Sequence, residues 1–223
     1  MARKNSDLFF GMRETMTEEQ LQYESAIMNE DSLLVICNAK AGTGKTTIAV
    51  ACAKLLVYSG EYDGLTYIFA PVEEKTLGYT TGDAFEKESK YHQPLKDALL
   101  EINESPEKAI FNPTSNQNTK KTQQSNAWVY ACSHTFLRGT NIKNKVVIID
   151  EAQNFTKQEL RKVLTRIHDT CKVILIGSTV QSDIQNSGFQ DYINYARSFK
   201  KATICNLTKS FRGELAEWAD NIN

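Results

Sequence analysis

Residues 39 to 46 read Ala39-Lys40-Ala41-Gly42-Thr43-Gly44-Lys45-Thr46, directly after the apolar run Leu33 to Cys37 and directly before an apolar helical pattern. Two glycines, a lysine and a hydroxyl between a strand and a helix suit one task, the holding of a polyphosphate. Gly42 and Gly44 let the backbone turn its N–H groups inward, the positive end of the following helix adds attraction, and Lys45 can reach the β and γ phosphates. The Thr46 hydroxyl suits Mg²⁺, and the segment in contact with nucleotide runs from Ala41 and Thr43 through Thr47. The usual pattern is G-x-x-x-x-G-K-[ST]. Ala39 stands where its first glycine belongs, so the turn there must tolerate a Cβ.

A second run, Lys145-Val-Val-Ile-Ile-Asp150-Glu151, is an apolar strand ending in two carboxylates. Open parallel sheets bind ligands at that edge. Asp150 is suited to hold the metal of a bound nucleotide, and Glu151 to polarise an attacking water. The strand Lys172 to Gly177 ends in Ser178-Thr179-Val180-Gln181-Ser182-Asp183. Gln181 is the candidate sensor of the γ-phosphate there, whereas Ser178, Thr179 and Asp183 serve turns and caps equally well.

These residues need a scaffold that brings several strand tips together. Short apolar runs recur at Leu33 to Cys37, Leu65 to Phe69, Trp128 to Cys132, Val146 to Ile149, Val173 to Ile176 and Ala202 to Cys205, with helical patterns between several of them. That alternation predicts an α/β fold, a mostly parallel sheet covered by helices on both faces. Lys45 to Tyr58 is apolar almost all round, as a helix pressed against a sheet would be, while Leu160, Val163, Leu164 and Ile167 form one stripe. Thr17-x-x-Gln20, Thr156-x-x-Glu159 and Ser187-x-x-Gln190 read as capping boxes that open helices.

The 223 residues carry 26 basic and 27 acidic side chains, a net charge of −1, and 41% are hydrophobic. Such a chain can bury a real core and has no global pull toward polyanions. The charge is uneven, net −7 over residues 1 to 111 and net +9 over 112 to 212. One half could therefore face a phosphate chain, or simply water. Five cysteines without C-x-x-C spacing read as small buried hydrophobes in a reducing compartment, and His92, His134 and His168 have no spacing of a triad or metal site. No run reaches the length of a signal core or membrane span, so the expected location is the cytoplasm, without a membrane partner.

The ordered motifs NAKAGTGKT, LGYTTGDAFEKESKYHQPLKDAL, FLRGTNI, VVIIDEAQNFTKQELRKVLTRI and GSTVQSD resemble the PhoH family of P-loop ATPases, over about residues 17 to 212. The resemblance implies a three-layer RecA-like fold like the first motor domain of superfamily-1 helicases. It also implies ATP and Mg²⁺ as cofactors, ATP hydrolysis, and assembly into a homo-oligomeric ring, of which a hexamer is one candidate while the ring size stays open. Gln20 and Tyr23 match the family's Q-x-x-Y element, suited to hold adenine by amide bonding and stacking. Arg138 matches an M-R-G segment, and Arg212 resembles a late arginine aimed at the γ-phosphate, in cis or in trans. Ala39-Lys40 replaces the family's usual Gly-Pro, and Phe69-Ala70-Pro71 stands where Arg-Pro is common. Residues 1 to 223 are expected to form one minimal ATPase domain with no fused nuclease, and 112 to 126 a flexible loop. Two rivals stay open: a translocase or helicase acting on RNA or single-stranded nucleic acid, and a nucleotide-gated scaffold that scarcely hydrolyses, suggested by Ala39.

Overall fold

The computed structural model describes residues 11–71, 92–112, 127–137 and 139–220. Its centre is a six-stranded sheet: β1 (Leu34–Ala39), β2 (Leu65–Phe69), β3 (Val129–Ser133), β4 (Val146–Ile149), β5 (Lys172–Gly177) and β6 (Ala202–Leu207). The spatial order is β3-β2-β4-β5-β1-β6, and every pairing is parallel. Each expected strand is present, and the sheet is wholly rather than mostly parallel. The expected 112–126 excursion lies, from residue 113, outside the described residues.

Alternation along the strands divides the core between two faces. Val35 and Cys37 of β1 join Tyr67, Ile148, Ile174 and Ile176 on one face. That face is covered by α1 (Glu18–Met28), α2 (Lys45–Tyr58) and α3 (Gln93–Glu101), followed by the short turn α4 (Pro106–Ala109). Ile36, Ile68, Val147 and Leu175 point the other way, toward α5 (Lys157–Leu164) and α6 (Phe189–Ala196). Buried area of this kind stabilises at about 25 cal/mol per Å² of apolar surface, which explains why strands buried on both faces are nearly continuous Val, Ile and Leu. The chain ends in α7 (Glu214–Asp220).

Two of the three expected capping boxes form. Thr17 accepts from the Gln20 N–H while the Gln20 side chain accepts from the Thr17 N–H, and Thr156 with Glu159 repeats the arrangement. The third does not: α6 is capped by Gly188, and Ser187 only accepts from the Phe189 N–H at 3.3 Å. Ser187 is drawn into an antiparallel bridge with Thr156, and the Gly188 N–H donates to the Phe155 carbonyl at 2.8 Å. A Cβ at 188 would stand 2.4 Å from the Lys157 nitrogen, so this crossing of two segments, rather than a local cap, fixes where α6 begins.

All five cysteines are free, four of them buried and Cys205 half-buried, as expected of small hydrophobes. Lys172 is the one charged residue within the described strands. Its ammonium donates to the carbonyls of Asn29 and Ser32, and burial pulls its pKa below the usual lysine range. Among the described residues no His, Cys, Asp and Glu group could hold a metal alone, and no helix is long and apolar enough to cross a membrane.

Candidate functional site

The phosphate loop leaves β1 at Ala39 and enters α2 at Lys45. Ala39 is paired with Leu207 as the last residue of its strand and is buried in the core, so its methyl points away from the turn. Ala39 needs no positive φ, so its Cβ is carried at the start of the loop without backbone strain. Gly42 and Gly44 both have φ near +75°, the left-handed conformation that glycine adopts without strain. Gly44 caps α2 without a side chain, which leaves the N–H groups of Lys45, Thr46 and Thr47 free of helical partners and turned to the crevice end of the helix. The Thr43 hydroxyl closes the loop onto the Lys40 carbonyl at 3.1 Å.

Across the crevice, β4 delivers Asp150, which is fully buried. Its Oδ2 accepts from the Thr46 hydroxyl at 2.9 Å and from the Tyr67 hydroxyl at 2.7 Å, and its Oδ1 accepts from the Glu151 N–H at 2.9 Å. Burial and the Asp150 charge raise the Tyr67 phenol well above its ordinary pKa, so it remains a donor at every working pH. A hydroxyl beside a carboxylate is the hard-oxygen pair that Mg²⁺ prefers, and Thr46 and Asp150 fit that ion. Tyr67→Phe leaves a buried carboxylate short of one donor. It should cost about 1.5–3 kcal/mol, read as a fall in Tm of roughly 4–10 °C; an unchanged Tm would show that the phenol is not needed.

Glu151 sits at φ 49°, ψ 45°, a left-handed conformation rare outside glycine and worth on the order of 1–3 kcal/mol of strain. That twist turns its side chain back to the crevice, with Oε1 4.0 Å from the Lys45 ammonium and 42% of the side chain exposed. Burial, and then the Asp150 charge, raise its carboxyl above the usual range against the pull of Lys45 and Gln153.

Gln153 is the residue that sequence reasoning passed over. It is buried, its amide nitrogen donates to Glu151 Oε2, and its amide oxygen accepts from the Ser178 N–H at 3.1 Å. The same two loops are closed further by Ser182 donating to the Gln153 carbonyl and by a reciprocal pair between Asn154 and Asp183. Ser178 and Asp183 thus act in loop closure. Gln181 lies on the same loop beyond β5 and is half-buried. The signal was the polar Gln within DEAQ, whose partner is 25 residues away and invisible to local pattern.

The N-terminal helix and the segment after β6 complete the crevice. Gln20 Nε2 donates to the Thr43 carbonyl at 2.9 Å and its oxygen is taken by the Thr17 N–H, so its amide braces the phosphate loop and caps α1. These bonds take one N–H and one lone pair of the Gln20 amide and leave its second donor and second lone pair. Tyr23 is fully buried with Ile27, Cys37 and Cys52, and presents no ring face for stacking; that expectation is corrected. Arg212 does reach the loop. The Phe211 N–H donates to the Gly42 carbonyl at 2.8 Å, and a Cβ at Gly42 would come within 2.5 Å of Arg212 Cγ and 2.8 Å of Ser210 Oγ. Phe211, half-exposed on this strap, is an aromatic that the sequence reading left without a role. Arg138 lies outside the described residues.

The fold and the sequence both have likenesses among known proteins. The Sulfolobus solfataricus SWI2/SNF2 ATPase core in complex with dsDNA superposes with a TM-score of 0.50 at 15% identity, over 86% of this chain and 44% of that one. That likeness shows the fold alone, a RecA-like α/β core. In sequence, the chain is 33% identical over 198 residues to a PhoH-like protein of Synechocystis sp., covering 87% of this chain and 56% of that protein. It is 30% identical over 213 residues to protein PhoH2 of Bacillus subtilis (92% and 45%) and 31% identical over 180 residues to protein PhoH of Escherichia coli (78% and 47%). The chain thus spans about half the length of these relatives. The family model described as PhoH-like protein matches residues 13–222, which takes in the phosphate loop, the acid pair and the strap alike, and by that match the chain belongs to the PhoH family.

Proposed function

We propose that the chain hydrolyses ATP with Mg²⁺ in the crevice between the phosphate loop and the tip of β4. The observation that carries this reading is the Thr46 hydroxyl bonded to Asp150 at 2.9 Å while Lys45 stands 4.0 Å from Glu151, which sets phosphate, metal and base groups around one point. Lys45 and the free N–H groups of the α2 terminus hold the β and γ phosphates. Thr46 and Asp150 would hold Mg²⁺, which neutralises charge on the phosphate oxygens when bound. Glu151, fixed by Gln153, accepts a proton from the water whose oxygen attacks the γ-phosphorus; the bond to the bridging oxygen breaks, giving ADP and phosphate. Gln181 reads the γ-phosphate from the β5 loop, Arg212 balances the charge of the transferred group, and Phe211 offers the base a stacking face that Tyr23 does not.

The test is phosphate release from ATP by the wild-type chain, with magnesium present and then chelated. Release that stops on chelation is expected, and no release above the blank with magnesium would overturn the reading. Adding RNA or single-stranded DNA to the same assay reads the translocase alternative through stimulation that weakens with salt. Assembly into a ring is the companion proposal, supported by the exposure of Glu151 in a crevice whose electrostatics need water kept out. A monomer at full turnover in analytical ultracentrifugation would dismiss it.

A further inference from the structure

One contact ties two parts of the crevice that neither strand nor loop connects. At the end of β6, the Thr208 N–H donates to Glu19 Oε2 at 2.8 Å and the Thr208 hydroxyl donates to Glu19 Oε1 at 2.9 Å. Glu19 is in the first turn of α1, and its neighbour Gln20 donates to the Thr43 carbonyl of the phosphate loop. Three residues past Thr208, the Phe211 N–H donates to the Gly42 carbonyl, and the stem of Arg212 lies over the bare Cα of Gly42. One helical turn therefore grips both sides, the strap through Glu19 and the loop through Gln20.

We propose that Glu19 is a positioning residue that holds the strap from Thr208 to Arg212 against the phosphate loop, so that the Arg212 guanidinium is presented to the phosphates. This rests on the ATPase reading for its catalytic consequence, but the clamp itself is a property of the chain without nucleotide. A carboxylate with both oxygens taken by one residue's N–H and hydroxyl fixes direction as well as distance, as bidentate charge-assisted bonds do. Arg212 is otherwise exposed, and a long side chain on a free segment would spread its charge over many positions. Displacement of about 1 Å in a positioned group can cost on the order of a hundredfold in rate, which is why a residue with no contact to substrate can matter.

The experiment compares wild type, Glu19→Ala, Glu19→Gln, Arg212→Ala and the Glu19→Ala/Arg212→Ala double variant. Glu19→Gln keeps the geometry, since its amide oxygen can accept from the Thr208 N–H and its NH₂ can donate to the Thr208 hydroxyl. Amide hydrogen exchange is read first, without nucleotide. Exchange of the Thr208 and Phe211 amides should quicken at least tenfold in Glu19→Ala and stay within about threefold of wild type in Glu19→Gln. Turnover is read second. Glu19→Ala should lower kcat by about tenfold to a hundredfold with KM changed less than about threefold, Glu19→Gln should recover most of that loss, and adding Glu19→Ala to Arg212→Ala should change kcat less than about twofold. Unchanged Phe211 exchange in Glu19→Ala would overturn the clamp whether or not the chain hydrolyses ATP. An equal kcat loss with and without Arg212 would show that Glu19 does not act through it. A wild type without turnover would instead defeat the ATPase reading, and exchange alone would then decide the clamp.

Discussion

Arg212→Ala is expected to lower ATP turnover by about 10³-fold or more while leaving ATP affinity within about tenfold. The size follows from what an arginine supplies to phosphoryl transfer, a fixed positive charge at the oxygens where negative charge builds up as the bridging bond breaks. The strap lies on the chain's own loop through the Phe211 to Gly42 bond, and on the proposed reading Arg212 would act in cis. That assignment has its own check. In a mixture of Arg212→Ala with Lys45→Ala chains, an arginine acting in trans would restore activity to mixed assemblies, whereas cis action predicts no recovery. Recovery toward wild-type turnover would move Arg212 to the neighbour's site.

Glu151→Gln should reduce kcat by roughly 10²–10⁴-fold with nucleotide binding retained. Removing the carboxylate takes away the proton acceptor but leaves Lys45, Thr46 and Asp150 in place. Stopped-flow binding of a fluorescent ATP analogue alongside phosphate release separates the two effects, and equal turnover in both proteins would remove Glu151 from the chemistry. The pH profile carries the same signature. Because burial and Asp150 raise the Glu151 pKa, the active ionised form is lost at a higher pH than for an ordinary carboxylate, and the acid limb of kcat/KM, which reports the free protein, should be shifted upward accordingly. The stability effect has the opposite sign to that of a salt-bridged acid. A carboxyl raised on folding is harder to ionise in the folded state, so above that pKa it weakens the fold. Glu151→Gln should therefore melt higher than wild type at neutral pH, and the difference should shrink as pH falls toward the unfolded value.

Where a pattern is local, the sequence was enough. Strand β2 at Leu65–Phe69 and helix α2 at Lys45–Tyr58 fall on the expected residues, because period and apolar content are written within a few neighbours. The phosphate loop and the Asp150-Glu151 pair were legible for the same reason: each is a short run whose meaning depends on the strand just before it. Ser187 misled because its cap was overruled by a crossing segment, with Gly188 pressed to the Lys157 backbone. Tyr23 misled because a motif gives residue type without direction, and here the ring turns into the core. Tyr67, Gln153 and Glu19 were not legible because their partners Asp150, Ser178 and Thr208 are 83, 25 and 189 positions away. Each gains its role only when the sheet order is known.

That sheet order has a consequence for how the protein is made. β1, which is made before β2 to β6, takes as neighbours the two strands of the sheet that are made after all the others, Leu34 pairing with Val173 on one side and Ala202 on the other. At synthesis rates of about 5–20 residues per second, β1 and the glycine loop after it wait on the order of ten seconds without their sheet neighbours. Nascent chains halted before β5 should be insoluble or chaperone-bound and unable to retain nucleotide, and competence should arrive late and abruptly, once β5 and β6 have closed on β1.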